Sequence, residues 1–175
     1  FIFLCWDMEM IHFSRTTNRL DVNNSNCPSN IFNQMLANKN FRQQFMERAI
    51  LHLYDSGDLT PEASINRWLA RTQTVEQALN GEVARWGNYR RDVHPWQERG
   101  EQYTKETHWR PRQDYIINTY FPERTEIFIN QLRDAGLLPR IIPPMILING
   151  VPYNQMVVDS GDLLTMSSPK GVIYY

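Results

Sequence analysis

Three scarcities narrow the role of this chain before any motif is considered. Two cysteines stand among 175 residues, Cys5 in an apolar run and Cys27 in a polar stretch. So placed, they do not read as a disulfide framework, and their spacing resembles no zinc site. Basic charge is not in surplus either: 18 Lys and Arg face 19 Asp and Glu, for a net charge of −1. Arg90-Arg91 is the one adjacent basic pair. Contact with a phosphate backbone needs a basic patch, so nucleic acid is not the expected partner. Finally, no apolar run is long enough to cross a bilayer, and no membrane span is expected.

What is present suits a real core. Hydrophobic residues make up 42% and charged residues 21%, within the range of one domain or of one domain and a piece of another. The most informative stretch is Phe1–Met10, FIFLCWDMEM. It reads as a buried strand, and side chains on a strand alternate faces, so Asp7 and Glu9 point the same way. Paired carboxylates repel unless a cation sits between them, and an oxygen-preferring divalent metal is the usual answer. The run opens on the strand itself, so a pairing strand and much of a domain are expected upstream. His12, alone after the strand, reads as a surface residue rather than a ligand.

Residues 14–29 (SRTTNRLDVNNSNCPS) read as a long loop, open to two readings: a solvated connector, or a segment that helps build a site. Helical signals follow. Ser29 is placed to cap a helix over Asn30–Ala37, and an apolar pattern continues over Phe41–Tyr54 until Gly57. Thr60-Pro61-Glu62 is a helix start with a hydroxyl cap, proline at the first position and acid in the first turn. Ile65, Trp68 and Leu69 carry its apolar face. Val75, Ala78, Leu79, Val83 and Trp86 mark a second helix that ends at Gly87. After a polar loop over 88–100, a helix is expected from Thr107 to Tyr120, with Trp109, Tyr115, Ile116 and Tyr120 inward. Phe121-Pro122 is read as breaking it before a last helix, Glu123–Ala135, that stops at Gly136. The tryptophans read as core rather than as a sugar-stacking platform, and Arg85, Arg124 and Arg133 as salt-bridged on helix faces.

Past Leu138 the pattern changes. Pro139, Pro143 and Pro144 form a linker, and short apolar runs at 145–148, 155–158, 163–166 and 172–175 read as strands. They look like the opening of a β-sandwich. The expected division is therefore 1–138, mainly α with a short N-terminal strand, and 139–175, a linker with a partial all-β segment.

Several phrases in order resemble the CotH-type spore-coat kinase family, whose members have an atypical protein-kinase fold and are secreted or envelope-associated. They are the Trp6-Asp7-Met8-Glu9 strand end, the Asp21-Val22-Asn23-Asn24 loop, and Leu36-Ala37-Asn38-Lys39-Asn40-Phe41-Arg42. This last is similar to the family's L-x-N-P-E-F-R, with Lys39-Asn40 replacing the usual pair. Leu59-Thr60-Pro61-Glu62-Ala63, Glu82-Val83-Ala84-Arg85-Trp86-Gly87, Tyr120-Phe121-Pro122-Glu123-Arg124-Thr125 and Gln131-Leu132-Arg133-Asp134-Ala135-Gly136-Leu137 complete the series. Together they span about three quarters of the chain. The remainder is similar to the chitobiase-like or lamin-tail-like sandwich that follows such domains.

The resemblance implies the helical C-lobe of a kinase-like domain. Asp7 matches the metal-binding aspartate that holds Mg²⁺ against the phosphates of ATP, with Glu9, one methylene longer than the family's aspartate, as a second ligand. Asn23 and Asn24 would line the nucleotide cleft, although loop asparagines also satisfy turn backbone. The implied reaction is phosphoryl transfer from ATP to a protein hydroxyl, which needs positioning and charge neutralisation more than covalent help. The nucleotide-clamping lobe, its lysine and the catalytic-loop acid belong before the Trp-Asp strand, so the segment alone is expected to be inactive. The alternative is a non-catalytic scaffold or adhesion protein of the secreted or cell-envelope class, built on the same fold.

Overall fold

The computed structural model describes residues 11–25, 28–93, 101–152, 157–168 and 171–174, excluding the side chains of residues 90 and 152. They form a mainly helical protein with a small antiparallel sheet. The chain packs as two compact units interleaved in sequence, one of residues 1–18 and 58–128, the other of 19–57 and 129–175. Neither unit ends at Leu138, where the composition changes.

The second unit begins with α1 (Pro28–Met35) and α2 (Lys39–Leu53). α1 starts two residues before the expected Asn30, which puts Ser29 inside the first turn. Its Oγ accepts from the Asn24 N–H at 3.2 Å instead of capping the helix. α2 is capped by Asn38, whose Oδ1 accepts from the N–H groups of Asn40 (2.9 Å) and Phe41 (3.3 Å). Phe32, Phe41 and Phe45 pack their rings together, with centroids 5.3 to 6.4 Å apart. Ile50, Leu53 and Tyr54 at the end of α2 join the buried core with Ile129, Leu132, Leu137, Leu138, Ile142 and Ile148.

The first unit contains α3 (Pro61–Glu76), α4 (Leu79–Trp86) and the short α5 (Tyr89–Asp92). α3 starts where Thr60-Pro61-Glu62 predicts, but the Thr60 hydroxyl makes no cap bond to the helix. Leu69, Val75 and Trp86, expected on an apolar face, are exposed. Gly87 ends α4 in a right-handed conformation, so glycine is not needed there for a left-handed cap. It is needed for closeness: a Cβ at Gly87 would lie 2.6 Å from the Val83 carbonyl and 2.7 Å from that of Tyr103. The backbone pairs across this contact, with the Tyr103 N–H donating to the Gly87 carbonyl at 3.0 Å.

The largest departure from the sequence reading is at Phe121-Pro122, which does not break the helix. A continuous helical run covers a π-helical turn (Lys105–Trp109), α6 (Arg110–Tyr115), a second π-helical turn (Ile116–Tyr120) and α7 (Phe121–Asp134). Each π turn ends two residues before a proline, Pro111 and Pro122. In a regular α-helix those rings would strike the carbonyls of Thr107 and Asn118. A wider i→i+5 turn relieves that crowding and lets the helix continue. The first eight residues of α7 belong to the first unit and its last six to the second.

α7 stops where Gly136 predicts. Gly136 has φ +69°, its N–H donates to the Arg133 carbonyl at 3.0 Å, and the Leu137 N–H reaches the Leu132 carbonyl at 2.9 Å. This is a Schellman motif, with buried Leu132 and Leu137 supplying its apolar contact.

The sheet has the order β2-β1-β3, all antiparallel, from β1 (Met145–Ile148), β2 (Val151–Pro152) and β3 (Leu164–Ser167). β1 falls on its predicted residues and β3 one residue late. Residues 157–158 and 172–174 of the other two expected strands are not extended into a ladder, and 155–156 and 175 lie outside the described residues. β2 was not expected. It forms because Asn149 (φ +52°) and Gly150 (φ +80°) make a two-residue hairpin turn with both residues left-handed. Asn149 also ties β3 to this turn: its Nδ2 donates to Asp162 Oδ1 (2.7 Å), and its Oδ1 accepts from the Leu163 N–H (2.9 Å).

Candidate functional site

The carboxylates Asp7 and Glu9, and the strand that carries them, lie outside the described residues. Among the described residues no group of three or more His, Cys, Asp or Glu side chains comes together to hold a metal. Asn23 and Asn24 are exposed on their loop. Asn24 is engaged through its backbone N–H, which donates to Ser29 Oγ at 3.2 Å.

The constellation that the structure does assemble begins directly after the acid pair, at residues 11–15. Three backbone carbonyls of this segment are each taken by a side chain from the π-interrupted helix. Tyr120 Oη donates to the Ile11 carbonyl at 2.8 Å, Arg112 Nη2 to that of His12 at 2.5 Å, and Arg124 Nη1 to that of Arg15 at 2.7 Å. A fourth tie runs the other way, from Arg15 Nε to Glu123 Oε2 at 2.5 Å. Irregular backbone has no ladder to satisfy its carbonyls, so these donors do that work. Two of the three are guanidinium groups, whose charge strengthens the bond.

His12 sits at the centre. Its ring meets Trp68, Tyr120 and Phe121 edge-on, with centroids 4.9, 5.0 and 5.5 Å away. Trp68 is itself fixed, its Nε1 donating to Gln113 Oε1 at 2.6 Å. The surface position expected for His12 is therefore wrong: an aromatic box half-buries it. Burial there, then the nearby Arg112 charge, hold its pKa below the ordinary 6.5 and favour the neutral ring. Burial likewise pushes the Tyr120 phenol up, which keeps it a donor.

Arg112 is wedged between rings, its guanidinium carbon 5.4 Å from the Phe13 centroid and 4.8 Å from that of Tyr115. Arg124 lies over Phe128 at 5.4 Å. The planar fork suits both tasks, hydrogen bonding at the edge and stacking on the face. Of the other two arginines singled out from sequence, Arg85 covers Trp86, and Arg133 bonds Asn130 Oδ1 (3.1 Å) and Tyr54 Oη (3.2 Å). Chemically, the 11–15 cluster is a clamp on backbone.

Sequence reasoning missed Arg112, Tyr120 and Arg15 as a group. A usable signal existed in the helix: Arg112, Tyr120 and Arg124 are spaced by eight and four, which brings long donors to one helix face. What they grip is about a hundred residues away in the chain and leaves no local trace. The class that emerges is a mainly α protein with a small antiparallel sheet and an arginine–tyrosine clamp on an irregular segment. No protein-family model, curated protein or solved structure matches the chain.

Proposed function

We propose that the chain is the helical C-lobe of a CotH-type, kinase-like domain of a secreted or envelope-associated protein, with Asp7 and Glu9 as its Mg²⁺ ligands. In this reading residues 139–175 begin a β-sandwich, and the complete domain transfers the γ-phosphoryl of ATP to a protein hydroxyl. The donor set fits the ion: two carboxylates offer the hard oxygen ligands that Mg²⁺ takes alongside water and phosphate. Bound Mg²⁺ would neutralise the charge of the phosphates during transfer. The chain's own residues would supply position. The observation that supports this most is the clamp on residues 11–15, because it ties the segment next to the acid pair to the helical body. An ion held by two carboxylates needs such fixity, since a small displacement of either changes the coordination geometry.

Mg·ATP affinity and phosphate transfer to a protein substrate, measured on the full-length protein and on its Asp7→Ala variant, test the reading. Loss of transfer and at least about tenfold weaker Mg·ATP binding in the variant are expected, in line with the loss of a principal metal contact. Equal affinity and equal transfer in both would sink it and favour a non-catalytic scaffold.

A further inference from the structure

We propose that Asn149-Gly150 is a site of spontaneous covalent modification, and that the change unfastens β3 from the β1–β2 hairpin. The chemistry needs only water, and nothing in it depends on Asp7 or Glu9. The Gly150 nitrogen attacks Cγ of Asn149 and forms a new C–N bond. The Cγ–Nδ2 bond breaks, the Gly150 proton passes to solvent base, and Nδ2 takes up a proton and leaves as ammonia. Water then opens the succinimide ring at either carbonyl, giving aspartate or isoaspartate at residue 149.

The sequence has two Asn-Gly pairs, Asn80-Gly81 and Asn149-Gly150, and the fold treats them oppositely. Asn80 and Gly81 lie in α4, where the Gly81 N–H donates to the Ala78 carbonyl at 3.1 Å. Attack by that nitrogen waits on local opening of the helix. Asn149 and Gly150 are exposed at the hairpin turn, with φ of +52° and +80°. Among the described residues no acceptor takes the Gly150 N–H, and a Cβ there would meet nothing within 4 Å. The Asn149 Oδ1, where negative charge gathers as the nitrogen adds, already accepts from the Leu163 N–H at 2.9 Å.

The same residue fastens β3. Its Nδ2 donates to Asp162 Oδ1 at 2.7 Å, and its backbone N–H donates to the Leu163 carbonyl at 2.9 Å. Asp162 is ionised at neutral pH, because the Asp159 N–H and then the Asn149 amide hold its carboxyl below the ordinary value. Aspartate at 149 would lose the Nδ2 donor and set a second carboxylate against the first. Isoaspartate would add a backbone atom to a two-residue turn whose geometry sets the strand register. Either product removes the tie between the turn and β3.

The test is peptide mapping by mass spectrometry on the full chain aged at mildly alkaline pH, with hydrogen exchange on the same sample. Conversion at Asn149 should run at least about tenfold faster than at Asn80, whose helix must open first. The β1 and β3 amides of the converted protein should exchange faster than those of the fresh protein. Asn149→Asp should reproduce the faster exchange. Asn149→Asp combined with Asp162→Asn, which trades the places of acid and amide, should restore protection. Conversion at Asn149 no faster than at Asn80 would overturn the site. Conversion that leaves β1 and β3 exchange unchanged would overturn the unfastening, as would a traded pair that restores nothing. The aged parent chain carries the first two readings even if Asn149→Asp does not fold.

Discussion

Different forces order the interior of each unit. In the second unit Ile50, Leu53, Ile129, Leu132, Leu137, Leu138, Ile142 and Ile148 are buried, and burial of aliphatic surface dominates. Among the described residues of the first unit few are buried, chiefly Ile116, Tyr120 and Thr125, while Leu69, Val75 and Trp86 stand exposed. Its order comes from long side chains on backbone carbonyls. Besides the clamp, Thr125 Oγ1 donates to the Leu59 carbonyl at 2.7 Å, and Arg67 bonds the Asp58 carbonyl. Apolar burial is non-directional and tolerates small shifts. Directed hydrogen bonds fix a particular backbone geometry at a modest net gain each. The unit that shows the second strategy is the one whose chain runs into the acid pair.

The comparison is broken most forcefully in the apolar unit. Leu132 is 0% exposed and sits at the Schellman turn, where its carbonyl and its side chain both serve the stop. Leu132→Ala leaves a cavity as well as losing transfer free energy, so urea denaturation should show a loss of about 3 kcal/mol. A loss under about 1 kcal/mol would mean that this core collapses easily around the vacancy, and that the contrast between the units is overstated.

What could be read from sequence follows the same divide. The α3 start at Thr60-Pro61-Glu62, the α7 stop at Gly136 and the strand Met145–Ile148 were legible because each depends on a few neighbouring residues. The Asn149-Gly150 hairpin is equally local, but the strand it opens, Val151–Pro152, is too short to show any alternation. The passage of the helix through Pro122 was not legible from the proline alone, since its usual effect is a break and the relief lies in the turn before it. The box around His12 was beyond reach for another reason: it joins residue 12 to residues 68, 120 and 121, and no periodicity records such a contact. Of the candidate site, the acid pair was visible as a motif, and the machinery that grips the adjoining segment was not.

A smaller effect sharpens the tethered side of the comparison through pH. The His12 pKa is lowered in the folded chain, so the unfolded state binds the proton more readily. Stability from this residue is therefore full above its ordinary value of 6.5 and declines as pH falls below it toward the lowered folded value. Tyr120 beside it, pushed up by burial, stays protonated across that window, and Glu76, held low first by its hydrogen bond to Lys105, titrates below it. Urea midpoints at pH 7.5 and 5.5 should therefore differ in the parent by more than in His12→Gln. Equal differences would mean that the ring takes up its proton without disturbing the box.

The smallest effect compares how a helix is begun in each unit. Asn38 caps α2 with two hydrogen bonds to Asn40 and Phe41, and Asn38→Ala should cost about 1 kcal/mol. Thr60 occupies the equivalent place before α3 with extended backbone, φ −67° and ψ 154°, but its side chain makes no cap bond. Pro61 at the first helical position has no N–H to satisfy and is already set to a helical φ, so the start depends less on a side-chain cap. Thr60→Ala should then cost less than half as much as Asn38→Ala in the same urea titration. A cost for Thr60→Ala as large as that for Asn38→Ala would show that the hydroxyl stabilises the helix start in solution. In that case both helix starts would rest on a side-chain cap, and this difference between the units would disappear.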